Sequence, residues 1–438
     1  MRIVFATMQY GRGYSQGTER YLSMLAEGLR ARGHEPLVLA GDPERRGRQQ
    51  RLGEALPNEP TVHACPTDGW LAVRGVSPRH LRPTLARLRP EVVHIGNPAH
   101  IGVGVFEAAR SLGIPTVFTI VDYWWICPTH TLQLPAGGVC DGRVTWTDCV
   151  RCLNCNHRRP SVRWLARGRA RSTWVLAPVF LGHWLRKGAG PAELWRWTRR
   201  QRILAGVLGA AEAVIFPSRT ALDRLAGRVP AERAHVVPNG LEPHWFKPPR
   251  PAQEPISRGL APGTALAPES LVIGMAGALV AHKGAHVLLE AMRQLGWSRT
   301  RIQIAGGGDA PDYEQHLRKL SSGLRVEFLG SLAPADMPRF LAGLDVLVIP
   351  STWLENHPII ALEAAAQRLP TLASGIGGLA EMMDRRSLFA PGDAAALAAR
   401  LSAWVAGDRA AAPPPVATAD EMVERTIEIY RRVAPTAR

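Results

Sequence analysis

Glu355 and Glu363 stand eight residues apart, on either side of Pro358, and proline favours the first position of a helix. Eight helical steps would separate the two carboxylates by about 12 Å, too far for an acid–base pair, which needs roughly 5–9 Å. The spacing suits instead a ligand held along its length, with one carboxylate at each end. The backbone N–H groups left free at such a helix start favour an anion between the two carboxylates. They belong to Asn356, His357, Ile359 and Ile360.

The neighbouring elements favour this ligand site over a plain amphipathic helix with two solvated glutamates. An apolar run at residues 344–349 predicts a buried strand before the glutamates, and residues 369–371 begin a strand after them. This order of strand, Glu-Asn loop, proline, second glutamate and strand resembles the signature of the retaining family-4 glycosyltransferases. The resemblance implies a sugar at Glu355, a phosphate at the helix start and a ribose at Glu363.

The composition sets the broad class of the protein. The chain has 438 residues, 46% of them hydrophobic, which favours two domains with their own cores. Its formal net charge of +16 requires an anionic partner: nucleic acid, an anionic membrane surface or an anionic substrate. The first residues predict a strand and not a signal peptide, and no uninterrupted apolar run reaches the ~20 residues that span a bilayer. We therefore expect a cytoplasmic protein, at most peripheral on the inner face of the cell membrane, whose reduced cysteines favour metal over disulfides.

Strands and helices alternate along the chain, a pattern typical of parallel, doubly wound α/β sheets. The order of the segments resembles the GT-B architecture, which implies two Rossmann-like domains with the active site in an interdomain cleft. We expect an N-terminal, acceptor-side domain at residues 1–245 with an insert at 123–205, and a nucleotide-sugar-binding domain at 270–413. A Pro-, Gly- and Ala-rich segment at 247–269 predicts a linker. A C-terminal helix within 414–438 is expected to pack back on the N-terminal domain.

Two segments of the N-terminal domain resemble parts of the family's donor site. Gly17 begins a Gly-Thr-Glu-Arg run similar to the segment at which the family's first helix starts beside the ligands. A plain strand-to-helix turn is the alternative there, with the helix itself expected over Tyr21–Arg30. Ser218 ends a predicted strand in a Pro-Ser pair, and the resemblance implies that it also lies on the donor side.

Asp122 follows a predicted strand at residues 114–121, and ligands bind at the carboxyl ends of such strands. With the aromatic residues and the Cys-Pro pair after it, Asp122 resembles the His-Asp-Tyr-Trp motif of one family-4 branch, which implies a catalytic position. The histidine of that motif is Val121 here, so its role is vacant or filled by a neighbour such as His94 or His130. A catalytically degenerate nucleotide-sugar-binding or scaffold protein is therefore the alternative function.

The C-terminal domain contains the segments that resemble a donor-diphosphate site. Lys283 lies in a loop similar to the one in which the family's Arg and Lys neutralise the two phosphates. Ala278 stands in the arginine's position, so half of this charge clamp is missing unless His282 or another residue compensates. Gly377 belongs to a Gly-Gly segment that resembles the loop near the donor sugar.

Five cysteines crowd one segment of the chain, and only Cys65 lies elsewhere. Cys149 and Cys152 have metal-ligand spacing, and thiolates in tetrahedral sets bind zinc or iron–sulfur clusters. We expect a structural zinc with four thiolate ligands; unpaired buried thiols and, less favoured, a redox pair are the alternatives. The resemblance implies Cys127, Cys140, Cys149 and Cys152 as the ligands, with Cys155 as a spare that could replace Cys152.

Residues 156–203 combine many arginines with five tryptophans and a single acid, Glu193. This composition suits an anionic membrane surface, and also single-stranded nucleic acid through stacking and phosphate contacts. No nucleic-acid-binding motif accompanies it, so the membrane is the favoured partner, and a solvated helical face is the alternative. The tryptophans are Trp164, Trp174, Trp184, Trp195 and Trp197.

Together these segments predict a retaining, hexosyltransferase-type glycosyltransferase. The resemblance implies transfer from a nucleoside-diphosphate sugar to a glycan, lipid-linked or secondary-metabolite acceptor, as in polysaccharide biosynthesis. The chain has no Asp-x-Asp motif, so we expect no catalytic divalent metal. Lys283, Glu355 and Asp122 are the expected catalytic residues, and Lys283 with the helix start would stabilise the charge on the leaving diphosphate. The leaving phosphate itself would then take the proton of the acceptor.

Overall fold

The computed structural model describes residues 1–10, 17–41, 55–56, 59–65, 73–99, 101–135, 138–142, 144–155, 164, 166, 191–247, 263–308, 311–409 and 414–434. The chain divides into two compact units. The first unit comprises Met1–Val237 and Met422–Arg438, and the second comprises Pro238–Glu421. The chain therefore leaves the first unit after Val237 and returns to it after Glu421, whereas the predicted first domain runs on to residue 245.

The strands follow one another along both units. They are β1 (Arg2–Thr7), β2 (Glu35–Gly41), β3 (Ala55–Leu56), β4 (Glu59–Cys65), β5 (Val92–Asn97), β6 (Thr116–Thr119), β7 (Ala213–Phe216), β8 (Ala234–Val236), β9 (Val272–Ala276), β10 (Arg301–Ala305), β11 (Arg325–Gly330), β12 (Val346–Ile349), β13 (Thr371–Ser374) and β14 (Leu388–Phe389).

The α-helices alternate with these strands. They are α1 (Gly17–Ala31), α2 (Pro78–Leu88), α3 (Gly104–Ser111), α4 (Trp146–Asn154), α5 (Pro191–Thr198), α6 (Arg200–Ala210), α7 (Arg219–Arg224), α8 (Ala285–Leu295), α9 (Pro311–Leu320), α10 (Met337–Ala342), α11 (Ile359–Ala366), α12 (Gly377–Met382), α13 (Ala394–Val405) and α14 (Ala419–Val433).

Each unit is built on one sheet. The first sheet has the order β3-β4-β2-β1-β5-β6-β7-β8, in which only the edge strand β3 is antiparallel to its neighbour. The second has the order β11-β10-β9-β12-β13-β14, with every pair parallel. Apolar runs such as Ile3–Ala6 and Val346–Val348 are fully buried, as expected for strands covered by helices on both faces. The predicted fold class, α/β with two doubly wound parallel sheets, is confirmed.

Helix α1 begins at Gly17, earlier than the predicted start at Tyr21. Glu19 lies in its first turn, where a carboxylate is favoured by the positive end of the helix dipole. The polar Thr-Glu-Arg run therefore belongs to the helix and not to a loop before it.

Helix α14, the last of the chain, packs within the first unit. A Cβ atom added to Gly28 of α1 would lie 2.5 Å from a Val423 methyl group, so the two helices touch closely there. Arg32 and Glu424 form an ion pair at 3.2 Å. The phenol of Tyr430 is fully buried and hydrogen-bonded to His94 of β5. The first sheet therefore shares its core with the end of the chain.

Candidate functional site

In the second sheet, β10 and β11 extend from β9 toward one edge, whereas β13 and β14 extend from β12 toward the other edge. The switch point of this sheet therefore lies between β9 and β12. Ligands of doubly wound proteins bind at the carboxyl ends of the two strands that flank such a point. The loop after β9 carries Lys283 and the loop after β12 carries Glu355. The topology therefore brings together two of the predicted site residues that lie 72 positions apart.

Lys283 and Glu355 form a direct ion pair. The distance from Lys283 Nζ to Glu355 Oε1 is 2.7 Å, and the Ser351 hydroxyl donates to the same oxygen at 2.7 Å. The ammonium group also lies 4.9 Å from the centre of the Trp353 ring. The Glu355 side chain is only 5% exposed, whereas the Lys283 side chain is 27% exposed. A buried carboxylate thus holds a cation whose other side remains open to solvent.

The protonation of this pair follows from its surroundings. Burial alone would raise the pKa of Glu355, but the charge and hydrogen bond of Lys283 and the hydrogen bond of Ser351 together lower it. Glu355 is therefore ionised at neutral pH. His282 precedes the lysine, and burial, with a smaller contribution from Lys283, lowers its pKa to about 4. Because His282 is neutral at physiological pH, it does not supply the positive charge that Ala278 leaves missing.

Backbone contacts hold the loop that carries Glu355. The N–H of Gly378 donates to the Glu355 carbonyl at 2.6 Å, and the Asn239 side chain donates to the His357 carbonyl at 2.9 Å. A Cβ atom on Gly378 would lie 1.7 Å from the Asn356 carbonyl oxygen. Gly377 has a φ of +60°, and a Cβ atom added there would lie 2.4 Å from the backbone carbonyl oxygen of Glu355. The Gly-Gly pair is therefore required for the close approach of these two segments.

Helix α11 begins just after this loop, with Pro358 in the N-cap position, close to the predicted helix start. Only the second half of the segment between Glu355 and Glu363 is helical, so the 12 Å estimate for an unbroken helix does not apply. Glu363 lies on α11 with 1% exposure, and Asn356 is 5% exposed. Burial lowers the pKa of His357 to about 4, so this residue adds no charge at the helix start.

Asp122 in the first unit lies just beyond β6 and interacts with three groups. Its Oδ2 is 3.2 Å from the Asn97 amide nitrogen and 3.0 Å from His130 Nδ1, and its Oδ1 accepts from the Trp124 N–H at 2.8 Å. His130 adopts a φ of +67°, a conformation uncommon outside glycine. Its carbonyl accepts from the Tyr123 N–H at 3.1 Å. The loop therefore folds back so that His130 meets Asp122, while its ring remains partly exposed.

His94, the other histidine considered beside Asp122, belongs to the core. Its Nε2 is 2.8 Å from the Thr119 hydroxyl, which in turn is 3.0 Å from the Tyr21 hydroxyl. Its Nδ1 is hydrogen-bonded to Tyr430. Complete burial lowers the pKa of His94 to about 3, so it is neutral and structural. Of the two histidines, His130 is the one that contacts Asp122.

The remaining predicted site residues of the first unit lie at helix starts. Ser218 is the N-cap of α7, and its buried hydroxyl accepts from the Ala221 N–H at 3.1 Å. This contact accounts for its side chain without a ligand. Gly17 is the first residue of α1, and a Cβ atom there would meet nothing within 4 Å. The glycine loop before it, residues 11–16, lies outside the described residues.

Five cysteines lie in one region of the first unit, and none of them is in a disulfide: Cys127, Cys140, Cys149, Cys152 and Cys155. Burial raises the pKa of Cys149 and of Cys152 to about 12, and in both cases Cys127 is the next largest cause. The N–H of Gly142 donates to the sulfur of Cys140 at 3.4 Å. Within the described part of the chain, no three His, Cys, Asp or Glu side chains are already arranged around one metal position. The zinc site stays a prediction.

The basic, tryptophan-rich segment does not present a uniform surface. Trp164 is 76% exposed and Trp195 is 55% exposed, whereas Trp197 is buried and Arg200 is 5% exposed. Trp174 and Trp184 lie outside the described residues. The difference in exposure between Trp195 and Trp197 could have been predicted from the sequence, because residues two positions apart on one helix do not lie on the same face. None of the helices described here is long and apolar enough to cross a bilayer.

Several residues of the site were not predicted from the sequence. They are Asn97, Asn239, Ser351, Trp353 and Gly378. Gly378 had a signal, since it adjoins Gly377 in the Gly-Gly pair. The others act through hydrogen bonds or ring contacts with residues distant in sequence or in irregular loops, and their types alone gave no signal.

Two sequence families match the chain. Residues 15–135 match Glycosyltransferase Family 4, and residues 270–406 match Glycosyl transferases group 1. One segment lies in each unit, and together they cover more than half of the chain.

Curated relatives carry glycosyltransferase names. An uncharacterised glycosyltransferase from Methanocaldococcus jannaschii is 32% identical over 156 residues, which cover 35% of this chain and 39% of the relative. A GDP-mannose-dependent alpha-mannosyltransferase from Mycolicibacterium smegmatis is 25% identical over 80% of this chain and 73% of the relative. For several relatives, the archaeal protein among them, the chain spans less than half of their own length.

Solved structures resemble the whole chain. A glycosyltransferase from Rickettsia africae gives a TM-score of 0.60 at 14% identity, covering 100% of this chain and 99% of that chain. Anabaena HepE, solved in complex with UDP and glucose, gives a TM-score of 0.59 at 18% identity, covering 99% and 98%. At these identities the likeness shows the fold, which is the predicted GT-B fold. The chain therefore has the GT-B fold and matches two glycosyltransferase family models, Glycosyltransferase Family 4 in its first unit and Glycosyl transferases group 1 in its second.

Proposed function

We propose that the protein transfers a sugar from a nucleoside-diphosphate sugar, with retention at the anomeric carbon. The acceptor is a glycan, a lipid-linked sugar or a secondary metabolite. The observation that carries this proposal is the Lys283–Glu355 pair at the switch point of the second sheet, beside the start of α11. Two similar proteins support the donor class, since HepE was solved with UDP and glucose and the Mycolicibacterium smegmatis relative is a GDP-mannose-dependent mannosyltransferase.

In the proposed donor complex, Lys283 turns its exposed side toward the diphosphate, and the N–H groups at the α11 start bind the same anion. Each charge-assisted hydrogen bond contributes about 1.5–3 kcal/mol. Glu355 contacts the sugar and orients Lys283, while Glu363 contacts the ribose. Charge on the leaving diphosphate grows during transfer, so these groups stabilise the transition state more than the bound donor. The leaving phosphate takes the acceptor proton, without a catalytic divalent metal.

A panel of UDP-, GDP- and ADP-sugars tests this function, first by thermal shift and then by transfer or donor hydrolysis without added magnesium or manganese. One donor should stabilise the protein and turn over. Glu355→Gln should mainly lower kcat, and Glu363→Gln should mainly raise the donor KM, because ribose contacts change little between the ground and transition states. Binding without any turnover would instead favour the nucleotide-sugar-binding scaffold. No binding of any member would reject both functions.

His130 is proposed to orient the acceptor hydroxyl, with Asp122 holding the imidazole through Nδ1. This arrangement leaves Nε2 as the nitrogen that faces the acceptor. His130→Gln should therefore lower kcat/KM for the acceptor by about 10²-fold, the loss expected when a reacting group is misplaced by about 1 Å. Donor binding should not change. His80→Gln is the matched control, because His80 is an exposed histidine of the same unit. Equal acceptor kinetics in both variants would remove His130 from the site.

The basic segment is proposed to hold the enzyme on an anionic membrane surface. Trp195 is exposed and its ring lies 4.3 Å from the Arg199 guanidinium, so an apolar and a cationic group are presented together. Each basic residue near an anionic surface adds about 1 kcal/mol, which salt screens. We expect binding to anionic vesicles that falls with salt without vanishing, and weak binding to neutral vesicles.

Paired tryptophan variants separate this surface from the core. Trp195→Ser should lower the salt-resistant part of vesicle binding and leave thermal stability nearly unchanged. Trp197→Ser should destabilise the first unit by roughly 3–5 kcal/mol, because it removes a buried indole. Flotation with phosphatidylserine vesicles and thermal unfolding measure the two effects. Absence of vesicle binding by the wild-type protein at low salt would contradict membrane attachment and leave a solvated face.

A further inference from the structure

Helix α2 has an exposed face that contains arginines and no acid. Its buried side is formed by Leu81, Thr84, Leu85 and Leu88, and none of its 11 residues is an aspartate or a glutamate. The helix lies outside residues 156–203, the segment from which membrane attachment was predicted. The exposed residues of α2 and of its C-cap are Arg79, His80, Arg82, Pro83, Ala86, Arg87 and Arg89.

This pattern of charge is unfavourable for a helix that faces only water. Arg79 and Arg82 are three residues apart, so they are neighbours on the helix surface and repel each other. Arg79 also stands in the first turn, where the helix dipole disfavours a cation. Neither residue belongs to an ion pair found among the described residues. An anionic partner bound to this face would offset both effects.

The connections of the first sheet place α2 on the same side as the helices of the basic segment. Three connections, from β4 to β5, from β5 to β6 and from β6 to β7, step across the sheet in one direction, and they contain α2, α3 and α6. The connection from β1 to β2, which contains α1, steps in the opposite direction. Because crossovers between parallel strands are right-handed, α2, α3 and α6 lie on one face of the sheet and α1 lies on the other. Helix α14, which packs against α1, belongs to the second face.

The two faces of this sheet differ in charge. We call the face of α2, α3 and α6 the basic face. Helix α6 also contains no acid, and Glu107 of α3 forms an ion pair with Arg74 at 2.7 Å. Besides the residues of α2, the exposed arginines of the basic face include Arg110 and Arg202. On the other face, α14 mixes acids with arginines: Asp420, Glu421, Glu424 and Glu428 with Arg425, Arg431 and Arg432.

We propose that the basic face lies against an anionic lipid bilayer, with α2 as a second point of attachment beside the segment that contains Trp195. The proposal rests on the membrane attachment proposed above and specifies the surface that makes it. The arginines of α2 contact lipid phosphates. Trp195, which is exposed with its ring 4.3 Å from the Arg199 guanidinium, supplies an apolar contact.

Attachment through the basic face fixes the orientation of the first unit on the bilayer. The sheet lies along the membrane, and the face of α1 and α14 turns toward water. The carboxyl edge of the sheet, where Asp122 and His130 lie, then opens sideways along the bilayer surface. This orientation suits a lipid-linked acceptor, which diffuses in the membrane and approaches His130 from that side.

Two pairs of arginine variants test this surface at equal net charge. One pair, Arg79→Gln with Arg82→Gln, changes the basic face; the other, Arg431→Gln with Arg432→Gln, changes α14, and all four residues are exposed. In flotation with phosphatidylserine–phosphatidylcholine vesicles at low salt, the α2 pair should lower the vesicle partition coefficient about 30-fold, the usual contribution of two basic residues near such a surface. The α14 pair should leave it nearly unchanged. Arg79→Lys with Arg82→Lys keeps the charge and should bind as the wild type does.

The outcomes separate this surface from the rest of the proposed function. Equal losses in the two glutamine pairs would show that net charge, and not the basic face, determines binding, and would overturn the proposal. Loss of binding in the lysine pair would assign the two arginines to the structure of α2 instead. A wild-type protein that does not float would overturn the proposal together with membrane attachment, whereas thermal shift with the donor panel reports on the transferase independently. Stronger binding to random single-stranded DNA than to vesicles at equal salt, lost in the α2 glutamine pair, would assign the basic face to nucleic acid.

Discussion

Lys283→Met should lower the free energy of unfolding by roughly 2–4 kcal/mol near neutral pH, because it leaves the buried Glu355 carboxylate without its counter-charge. In the wild type the pKa of Glu355 is depressed, so the pair stabilises the fold above the unfolded pKa and loses that effect as pH falls. In the variant burial acts without Lys283 and raises the pKa of Glu355 above its unfolded value. The penalty should then shrink as pH falls through the raised pKa.

Urea unfolding at about pH 7 and about pH 5 measures this change. The difference between variant and wild type should be large at the higher pH and smaller at the lower one. Glu355→Gln combined with Lys283→Met should recover much of the stability, since the unpaired charge is gone. The cycle of single and double variants should therefore be strongly non-additive. A penalty independent of pH, with additive effects, would show that the two side chains are not coupled.

The same lysine variant also tests the donor site. Lys283→Met should weaken binding of a nucleoside diphosphate much more than binding of the nucleoside alone, because the ammonium group is placed to meet phosphate. Isothermal calorimetry with UDP and uridine, or with the pair that the donor panel selects, compares the two. Equal losses would assign Lys283 to loop structure and not to the anion.

Gly378→Ala should lower kcat by about 10²-fold, the effect of displacing a catalytic group by about 1 Å. The added methyl would lie 1.7 Å from the Asn356 carbonyl oxygen, which is a steric overlap. Its nearest neighbours are all backbone atoms of Glu355 and Asn356, so no flexible side chain can move to make room. The loop that carries Glu355 must therefore shift. Alanine is otherwise the better helix former at this position in α12, so the change does not act through helix propensity.

Gly375→Ala is the matched control for this variant. It lies in the same segment, and its nearest neighbour would be the Phe389 carbonyl oxygen at 3.4 Å, an ordinary contact. Steady-state kinetics with the selected donor compares the two alanine variants. Wild-type kcat for Gly378→Ala would mean that the position of the Glu355 loop does not limit catalysis.

The sequence predicted the sheets and the placement of Lys283 and Glu355 well, for a simple topological reason. Each follows a parallel strand, and the carboxyl ends of parallel strands share one edge of the sheet. What the sequence did not predict was that the two would pair with each other. The pairing depends on a short turn at 281–283 and on Ser351, and neither has a periodic pattern that reveals it.

The segment around the thiols was predicted less well. From the composition of residues 156–203, Trp197 and Arg200 were predicted to belong to one basic surface, but both are buried. Composition counts residue types and ignores which helix face each occupies. His130 contacts Asp122 because the chain adopts left-handed conformations at His130 and Leu132. Such conformations are uncommon for residues other than glycine, so the residue types did not predict them.

The position of α14 has a consequence for biosynthesis. Residues 1–237 are synthesised long before Val423, Ile427 and Tyr430, whose side chains are buried in the core of the first unit. The second unit is one continuous stretch and can complete its core as soon as it emerges. We therefore expect the second unit to complete its fold before the first unit, although most of the first unit is synthesised earlier. Until α14 has been made, the first unit exposes the apolar surface that α14 covers. Nascent chains that stall before residue 423 should be the forms that chaperones retain.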